Sequence, residues 1–246
     1  MIAFVGSAVT SLQIGDRVAI EPGVPCGECK RCSQGEYNLC LSVEFSGAPP
    51  VHGSMRRYHV HPAKYLHKMP DALSFRDGAL LEPLSVVMHG FERSPVRLGE
   101  CCVSRSWTIL LTDDSSGEPT VICGAGPIGL IALAVARASG ASPIVITDID
   151  PGRLDFAKTF IPSCLPVLVQ PELSAEDMAA VVRSKLGDEP PRVVYECTGV
   201  QRSVITAAHL PQQGGEVMVI GVGRPKMDGI PFMHISFAEV SISWQH

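Results

Sequence analysis

Four cysteines near the start of the chain have the residue type and the spacing of a metal site. They form the pattern Cys26-x-x-Cys29-x-x-Cys32-x7-Cys40. Zn²⁺ favours four thiolates in a tetrahedron, and a CxxC turn can direct two sulfurs at one ion. With all four positions filled by protein, water and substrate have no place on the metal, so the predicted site is structural. An iron–sulfur cluster and four unliganded thiols on a loop are the alternatives.

A glycine-rich turn later in the chain has the pattern of a nucleotide site. An apolar run leads into Gly124-x-Gly126-x-x-Gly129, an alanine-rich segment follows, and a second apolar run, Ile144 to Thr147, ends on Asp148. Strand, glycine turn, helix, strand and acid in this order predict a dinucleotide-binding unit with the pyrophosphate on the turn. A βαβ unit with a purely structural role is the alternative.

Other side chains capable of chemistry give weaker signals. Glu82 lies inside the apolar stretch ALLEPLSVV, where a lone buried charge would be expensive. It is therefore either exposed at a helix start, where a negative charge is favourable, or faces a cation in a cleft; the residues alone leave both open.

Four histidines cluster in the region that precedes Glu82, but no cysteine or carboxylate has matching spacing, so we interpret them as ordinary residues and not as metal ligands. They are His52, His59, His61 and His67.

Composition limits the classes of protein that this chain can be. It has 246 residues, of which 46% are hydrophobic and 18% charged, so a large core can be buried. A net charge of −5 argues against a general nucleic-acid or anionic-membrane surface, and so against a zinc-ribbon module that binds nucleic acid. No apolar run reaches the ~18 residues of a spanning helix, and residues 1–10 lack a signal-peptide pattern. We expect a cytoplasmic protein.

The predicted elements that position these residues fall into two domains. Residues 1–93 are predicted to be β-rich, with a strand at Val18 to Ile20, another over 55–62, and a helix over 77–93 interrupted near Pro83. Residues 94–246 alternate strands and helices, which predicts an α/β fold with a doubly wound parallel sheet. One of these helices has Ser174 as its predicted N-cap.

An unusual segment, Cys101–Glu118, separates VRLGE from PTVICGAG. The first strand of the nucleotide unit should follow VRLGE at once. We interpret 101–118 as an insertion forming a surface loop. A retained intron translated in frame, an imperfect gene model and a real insertion all fit the sequence equally well.

The chain resembles zinc-dependent medium-chain dehydrogenases of the polyol group, which comprises sorbitol, xylitol and L-arabinitol dehydrogenases, and fungal-type L-arabinitol 4-dehydrogenases look most similar. The segments that carry the resemblance are GDRVAIEPGVPCGECKRCSQGEYNLC, PPVHGSMRRY, GALLEPLSV, CGAGPIGL, VITDIDPGRL and ECTGV. The resemblance implies a Rossmann domain that binds NAD, preceded by a partial GroES-like catalytic domain with a zinc lobe at 26–40. It also implies a homo-oligomer, a tetramer in this family.

Carried over residue by residue, the resemblance gives roles to particular side chains. Glu82 matches the acid of a catalytic zinc site, where it approaches the metal or its water. Asp148 would accept hydrogen bonds from the adenosine ribose, which favours NAD over NADP. The four cysteines match the ligands of a structural zinc. The remaining cofactor-contacting positions are Gly124, Gly126, Ile128, Gly129, Arg153, Ile220, Gly221 and Val222.

The family's remaining catalytic zinc ligands, a cysteine and a His-Glu pair, are expected to precede VGSAVTSLQIGDRVA and are not in the sequence. An arginine-bearing cofactor segment is likewise expected beyond the last residue, so we expect a chain truncated at both ends.

The reaction implied for the complete enzyme is oxidation of a polyol's secondary hydroxyl to a ketone by hydride transfer to NAD⁺, with zinc as Lewis acid. The alternative is a catalytically inert fragment that binds NAD or partner subunits.

Overall fold

The computed structural model describes residues 1–94 and 117–245, which divide into two compact units, 1–82 and 83–245. The division falls at Glu82, earlier in the chain than the predicted domain boundary at residue 93. All of the predicted insertion except Gly117 and Glu118 lies outside the described residues.

The first unit contains short β-strands and single helical turns. The strand predicted at Val18 to Ile20 is confirmed as β1. The strand predicted over 55–62 is wrong: this segment forms no regular element, and Tyr58 and Val60 are 65% and 96% exposed, so no apolar face is buried to hold a strand. Two antiparallel pairs form, β1 with β4 and β2 with β3. The elements are β1 Val18–Ile20, β2 Gly23–Val24, α1 Lys30–Ser33, a 3-10 turn Tyr37–Leu39, β3 Glu44–Phe45, a 3-10 turn Ala63–Tyr65 and β4 Leu66–Lys68.

A 19-residue helix, α2 Phe75–Arg93, begins in the first unit and ends in the second. The predicted interruption at Pro83 is wrong, because the helix continues through it. Proline removes the N–H that would bond the carbonyl of Ala79. Ala79 is exposed, so water can solvate that carbonyl and the helix is not broken. Among the described residues no helix, α2 included, has the length and apolarity needed to cross a membrane.

The second unit is built on a six-stranded, fully parallel sheet in the order β10-β9-β8-β5-β6-β7. The α/β prediction is confirmed, as is the cap of α5, where Ser174 accepts a hydrogen bond from the Asp177 N–H. The elements are β5 Thr120–Cys123, α3 Pro127–Ala138, β6 Ile144–Asp148, α4 Pro151–Phe160, β7 Leu165–Leu168, α5 Ala175–Arg183, β8 Val193–Glu196, α6 Gln201–Ala208, β9 Glu216–Val219, α7 Phe232–Ala238 and β10 Ser241–Trp244.

Both faces of the four central strands, β9, β8, β5 and β6, are buried, which explains their nearly continuous apolar sequences. On one face Ile122 and Ile146 pack with α2, α3 and α4, and on the other Val121 and Val145 pack with α5 and α6. The chain runs outward from β5 through β6 to β7 and then returns to β8 on the other side of β5. In open parallel sheets ligands bind at the carboxyl edge where the strand order reverses. The fold therefore predicts a site at the carboxyl ends of β5 and β8.

Candidate functional site

The four cysteine sulfurs of the first unit converge on one point, all within 4.8 Å of one another. The Sγ–Sγ distances are 3.9 Å from Cys26 to Cys32, 3.5 Å from Cys29 to Cys32 and 3.6 Å from Cys26 to Cys40. Four sulfurs each about 2.3 Å from one Zn²⁺ in a tetrahedron would lie about 3.8 Å apart. A disulfide would need about 2.05 Å. The sulfurs therefore have the separation of a single tetrahedral ion.

The backbone around these sulfurs is already folded for ligation. Gly27 has a φ of +82°, a left-handed conformation that turns the chain directly after Cys26. Cys29 is the N-cap of α1, and Cys32 lies one turn further on. Cys40 follows the 3-10 turn, is buried, and accepts a hydrogen bond from the Cys26 N–H at 3.5 Å.

A bound cation would change the protonation of the clustered cysteines. Backbone hydrogen bonds from Glu28 and Cys29 lower the pKa of Cys26 to about 7. Desolvation raises the pKa of Cys32 to about 12, and a side-chain hydrogen bond with Cys29 adds to this effect. A divalent cation among the sulfurs would favour thiolates throughout, because a coordinating thiol loses its proton. Four sulfur donors without an open position suit a structural Zn²⁺.

The glycine turn of the second unit joins β5 to α3, and its three glycines have different surroundings. Gly124 has a φ of +103°, which makes the tight turn. A Cβ on Gly129 would lie 1.8 Å from the Gly124 carbonyl oxygen, so only glycine allows helix and strand to approach this closely. A Cβ on Gly126 would meet nothing within 4 Å. That open cradle lies at the N-terminus of α3, where backbone N–H groups and the helix dipole favour a phosphate.

The acid after the glycine turn, Asp148, is buried at the end of β6. Its Oδ2 accepts a hydrogen bond from the Ala125 N–H at 2.8 Å, and its Oδ1 accepts one from the Asp150 N–H at 3.0 Å. The guanidinium of Arg153 lies 3.7 Å from Asp148 and 4.0 Å from Asp150. Asp148, Arg153 and the glycine turn are thus brought together, while their predicted contacts with a cofactor stay a prediction.

The loop after β9 reaches the same carboxyl edge. Ile220 and Gly221 donate backbone hydrogen bonds to the Glu196 carbonyl oxygen, at 2.8 and 2.9 Å. Ile220 is buried, whereas Val222 is 86% exposed. Ile128, on the first turn of α3, is half-buried against the core. The edge therefore contains every cofactor-contacting position predicted from the sequence.

Two family models match this chain. The alcohol dehydrogenase GroES-like domain matches residues 1–71, which include the cysteine cluster, and the zinc-binding dehydrogenase model matches residues 127–244, which include most of the parallel sheet. The chain belongs to the zinc-binding alcohol dehydrogenase family. The predicted resemblance to medium-chain dehydrogenases is confirmed.

Relatives and solved structures of this dehydrogenase family share sequence and fold with the chain. An L-arabinitol 4-dehydrogenase from Aspergillus oryzae is 47% identical over 250 residues, covering 98% of this chain and 60% of the relative. A galactitol-1-phosphate dehydrogenase from Escherichia coli is 27% identical with a TM-score of 0.79, over 99% of this chain and 64% of that one. A zinc-binding dehydrogenase from Sinorhizobium meliloti 1021, solved bound to NADP, has the same identity and TM-score over 99% and 65%. The chain spans about 60% of the length of the curated relatives it matches.

Glu82, the predicted catalytic residue, lies within α2 and is exposed. It is the eighth residue of the helix, so the alternative of an acid at a helix start does not apply. Within 1–94 and 117–245 the cysteine cluster is the one group of three or more metal-binding side chains. The catalytic role of Glu82 stays a prediction.

Sequence reasoning gave no role to Glu196, the acid of the ECTGV segment. It ends β8 and is fully buried, and its carboxylate accepts hydrogen bonds from Thr198, Gly199 and Ser203. An acid within an apolar stretch is the signal that drew attention to Glu82, and the same signal could have identified Glu196. An acid at the end of an apolar strand needs partners, because burying a lone charge is expensive.

Proposed function

We propose that this chain is an NAD-linked polyol dehydrogenase that oxidises a secondary hydroxyl to a ketone, with L-arabinitol, xylitol and sorbitol as the substrate class. The observation that carries the proposal is the open cradle at Gly126, formed at the switch point of a parallel sheet. The polyol class is supported by the 47% identity with an L-arabinitol 4-dehydrogenase.

The residues at the carboxyl edge would bind the two halves of the cofactor. The turn at Gly124 to Gly129 and the first N–H groups of α3 would hold the pyrophosphate. Asp148 would accept a hydrogen bond from the adenosine ribose, and the backbone from Ile220 to Val222 would lie beside the nicotinamide. When bound, the nicotinamide supplies the hydride acceptor, and the protein's part is to fix distance and orientation.

NAD is proposed over NADP because of the charge at Asp148. Its side chain is 6% exposed, and both its oxygens are held by backbone N–H groups, so it cannot turn away from a ribose. A 2′-phosphate there would meet a fixed negative charge. Arg153 lies within reach, yet it is already shared between Asp148 and Asp150.

Two zinc ions belong to the proposal, and the described residues fit them differently. A structural zinc would be held by Cys26, Cys29, Cys32 and Cys40, and would stabilise the fold of the first unit. For a catalytic zinc, residues 1–94 and 117–245 offer Glu82 but no second group of three ligand side chains. We therefore assign no step of the reaction to that metal.

The assembly proposed for this chain is a homotetramer, as in the family it resembles. Size-exclusion chromatography with light scattering tests this directly. A mass of four chains is expected, and a monodisperse monomer at micromolar concentration would contradict it.

The test of the proposed function is turnover measured beside binding. NADH formation is followed with L-arabinitol, xylitol and sorbitol, using NAD⁺ and then NADP⁺, and NADH binding is titrated separately. Glu82→Gln is expected to abolish turnover and keep NADH binding, whereas Glu92→Gln, also exposed on α2, keeps both. NADH binding without turnover in the unmodified chain would favour the non-catalytic alternative, and absence of both would reject the proposal.

A further inference from the structure

Glu196 is a fully buried acid whose partners in the described part of the chain are all hydrogen-bond donors. Oε1 accepts from the Thr198 N–H at 3.0 Å, from the Thr198 hydroxyl, and from the Ser203 hydroxyl at 2.8 Å. Oε2 accepts from the Gly199 N–H at 2.9 Å. Ser203 lies in the first turn of α6, where the helix dipole favours a carboxylate. All four donors therefore belong to the turn after β8 and the helix that it starts.

The Thr198–Gly199 turn packs between the two loops that are proposed to bind the cofactor. On one side, a Cβ on Gly124 would lie 2.7 Å from the Thr198 methyl group. On the other side, a Cβ on Gly221 would lie 2.1 Å from the Gly199 nitrogen. The main chain of Glu196 adds to this arrangement, because its carbonyl accepts the N–H groups of Ile220 and Gly221. The turn therefore sets the spacing between the loops after β5 and β9.

We propose that Glu196 is a positioning residue for the dinucleotide: by clamping the Thr198–Gly199 turn, its carboxylate fixes the distance between the pyrophosphate turn and the loop beside the nicotinamide. This inference rests on the proposed NAD site but adds a residue that touches no cofactor atom in that proposal. The clamp acts through two backbone N–H groups, so its geometry is set by the main chain of the turn. Gly199 has a φ of +67°, a conformation that the clamp holds in place.

Glu196→Gln is the sharpest perturbation because it keeps size and shape. An amide has one oxygen and one NH₂ group. If the oxygen takes the Oε1 position, the NH₂ faces the Gly199 N–H; in the other orientation it faces the Thr198 N–H. Either way a donor opposes a backbone donor, so the turn must shift.

The first measurement needs no cofactor. In hydrogen–deuterium exchange of the full chain, Glu196→Gln is expected to speed exchange at least tenfold at residues 198–200 and 220–223, with α5 unchanged. The matched control is Glu216→Gln, a buried acid at the amino end of β9, which should leave both loops as in the unmodified chain. Unchanged exchange at 198–200 in Glu196→Gln would overturn the clamp.

The second measurement separates positioning from general loss of the fold. On the proposed AMP side, Asp148 is held by the Ala125 and Asp150 N–H groups and pairs with Arg153. None of these groups belongs to the Glu196 clamp. We therefore expect Glu196→Gln to weaken NADH binding at least tenfold and to change AMP binding less than twofold. Equal loss of NADH and AMP, or NADH binding within twofold of the unmodified chain, would overturn the positioning role. If the unmodified chain binds no NADH, the proposed function fails, and the exchange experiment still decides whether the clamp exists.

Discussion

Gly126→Ala should weaken the binding of NADH while leaving the fold nearly intact. Gly126 has a φ of −76°, which alanine adopts without strain, and the added methyl group would enter space with no protein atom within 4 Å. The same space is where the pyrophosphate is proposed to approach the backbone. The substitution therefore separates a glycine needed by the ligand from one needed by the fold.

The expected magnitudes follow from the surroundings of Gly126. It is the N-cap of α3, where alanine is less favourable than glycine by about 0.5–1 kcal/mol. For a unit of this size that lowers Tm by about 1–4 °C. The added methyl group would displace a phosphate from one backbone N–H and so remove a charge-assisted hydrogen bond of about 1.5–3 kcal/mol. This loss raises the Kd for NADH roughly 10- to 150-fold.

The assay combines a fluorescence titration with NADH and thermal unfolding followed by circular dichroism. Gly129→Ala is the contrasting variant, because its Cβ would lie 1.8 Å from the Gly124 carbonyl oxygen and must force α3 away from β5. It should lose stability by several degrees at least, as overpacking costs about 1–3 kcal/mol or more. NADH affinity within twofold of the unmodified chain in Gly126→Ala would refute the cradle, and so would a Tm loss equal to that of Gly129→Ala.

Three further outcomes are expected. Cys40→Ser should lower zinc content by one equivalent per chain and destabilise the first unit, as measured by atomic absorption and proteolysis; full zinc content would contradict the four-sulfur site. A hydrogen bond from Lys68 lowers the pKa of Asp16. The ionised carboxylate of Asp16 therefore stabilises the fold fully above the ordinary carboxyl pKa, and this stabilisation is lost as the pH falls through the lowered pKa of the folded chain. Asp16→Asn should therefore lower Tm at pH 7, and this loss should shrink as the pH falls below the ordinary carboxyl pKa; a loss that does not change with pH would exclude the ion pair. Burial lowers the pKa of His209, and the neighbouring His234 adds to this effect; Glu176 and Arg183 face His209 as well. Below pH 6.5 the unfolded chain therefore binds more protons than the folded chain, so the stability of the fold decreases as the pH falls. His209→Gln should show less Tm loss between pH 7.5 and 5.

Sequence periodicity predicted the parallel sheet of the second unit because its four central strands are buried on both faces. Apolar runs such as TVIC and IVITD, each followed by a glycine or an acid, are typical of such strands. The short strands of the first unit are harder to predict. The segment 55–62 has an alternating pattern, yet no strand forms there and Tyr58 is exposed, because alternation alone provides no partner strand.

The candidate sites were predictable to the extent that spacing determines geometry. Four cysteines within fifteen residues can converge on one ion by local turns, and the structure brings their sulfurs within 4.8 Å. The role of Glu196 could not be predicted in this way. Its function depends on Gly124 and Gly221, which are distant in sequence and meet only when β5, β8 and β9 are aligned in register.

Asp148 and Glu196 end the two strands that flank β5, and both use their carboxylates to hold backbone N–H groups. Asp148 bonds Ala125 inside the glycine turn, while Glu196 bonds the turn that packs against Gly124. A carboxylate oxygen can accept more than one hydrogen bond, so Asp148 keeps the capacity to accept a ribose hydroxyl as well. The glycine turn is thus held from both sides before any ligand binds. Because such a turn need not be ordered on binding, the conformational entropy cost of cofactor binding is reduced at this edge of the sheet.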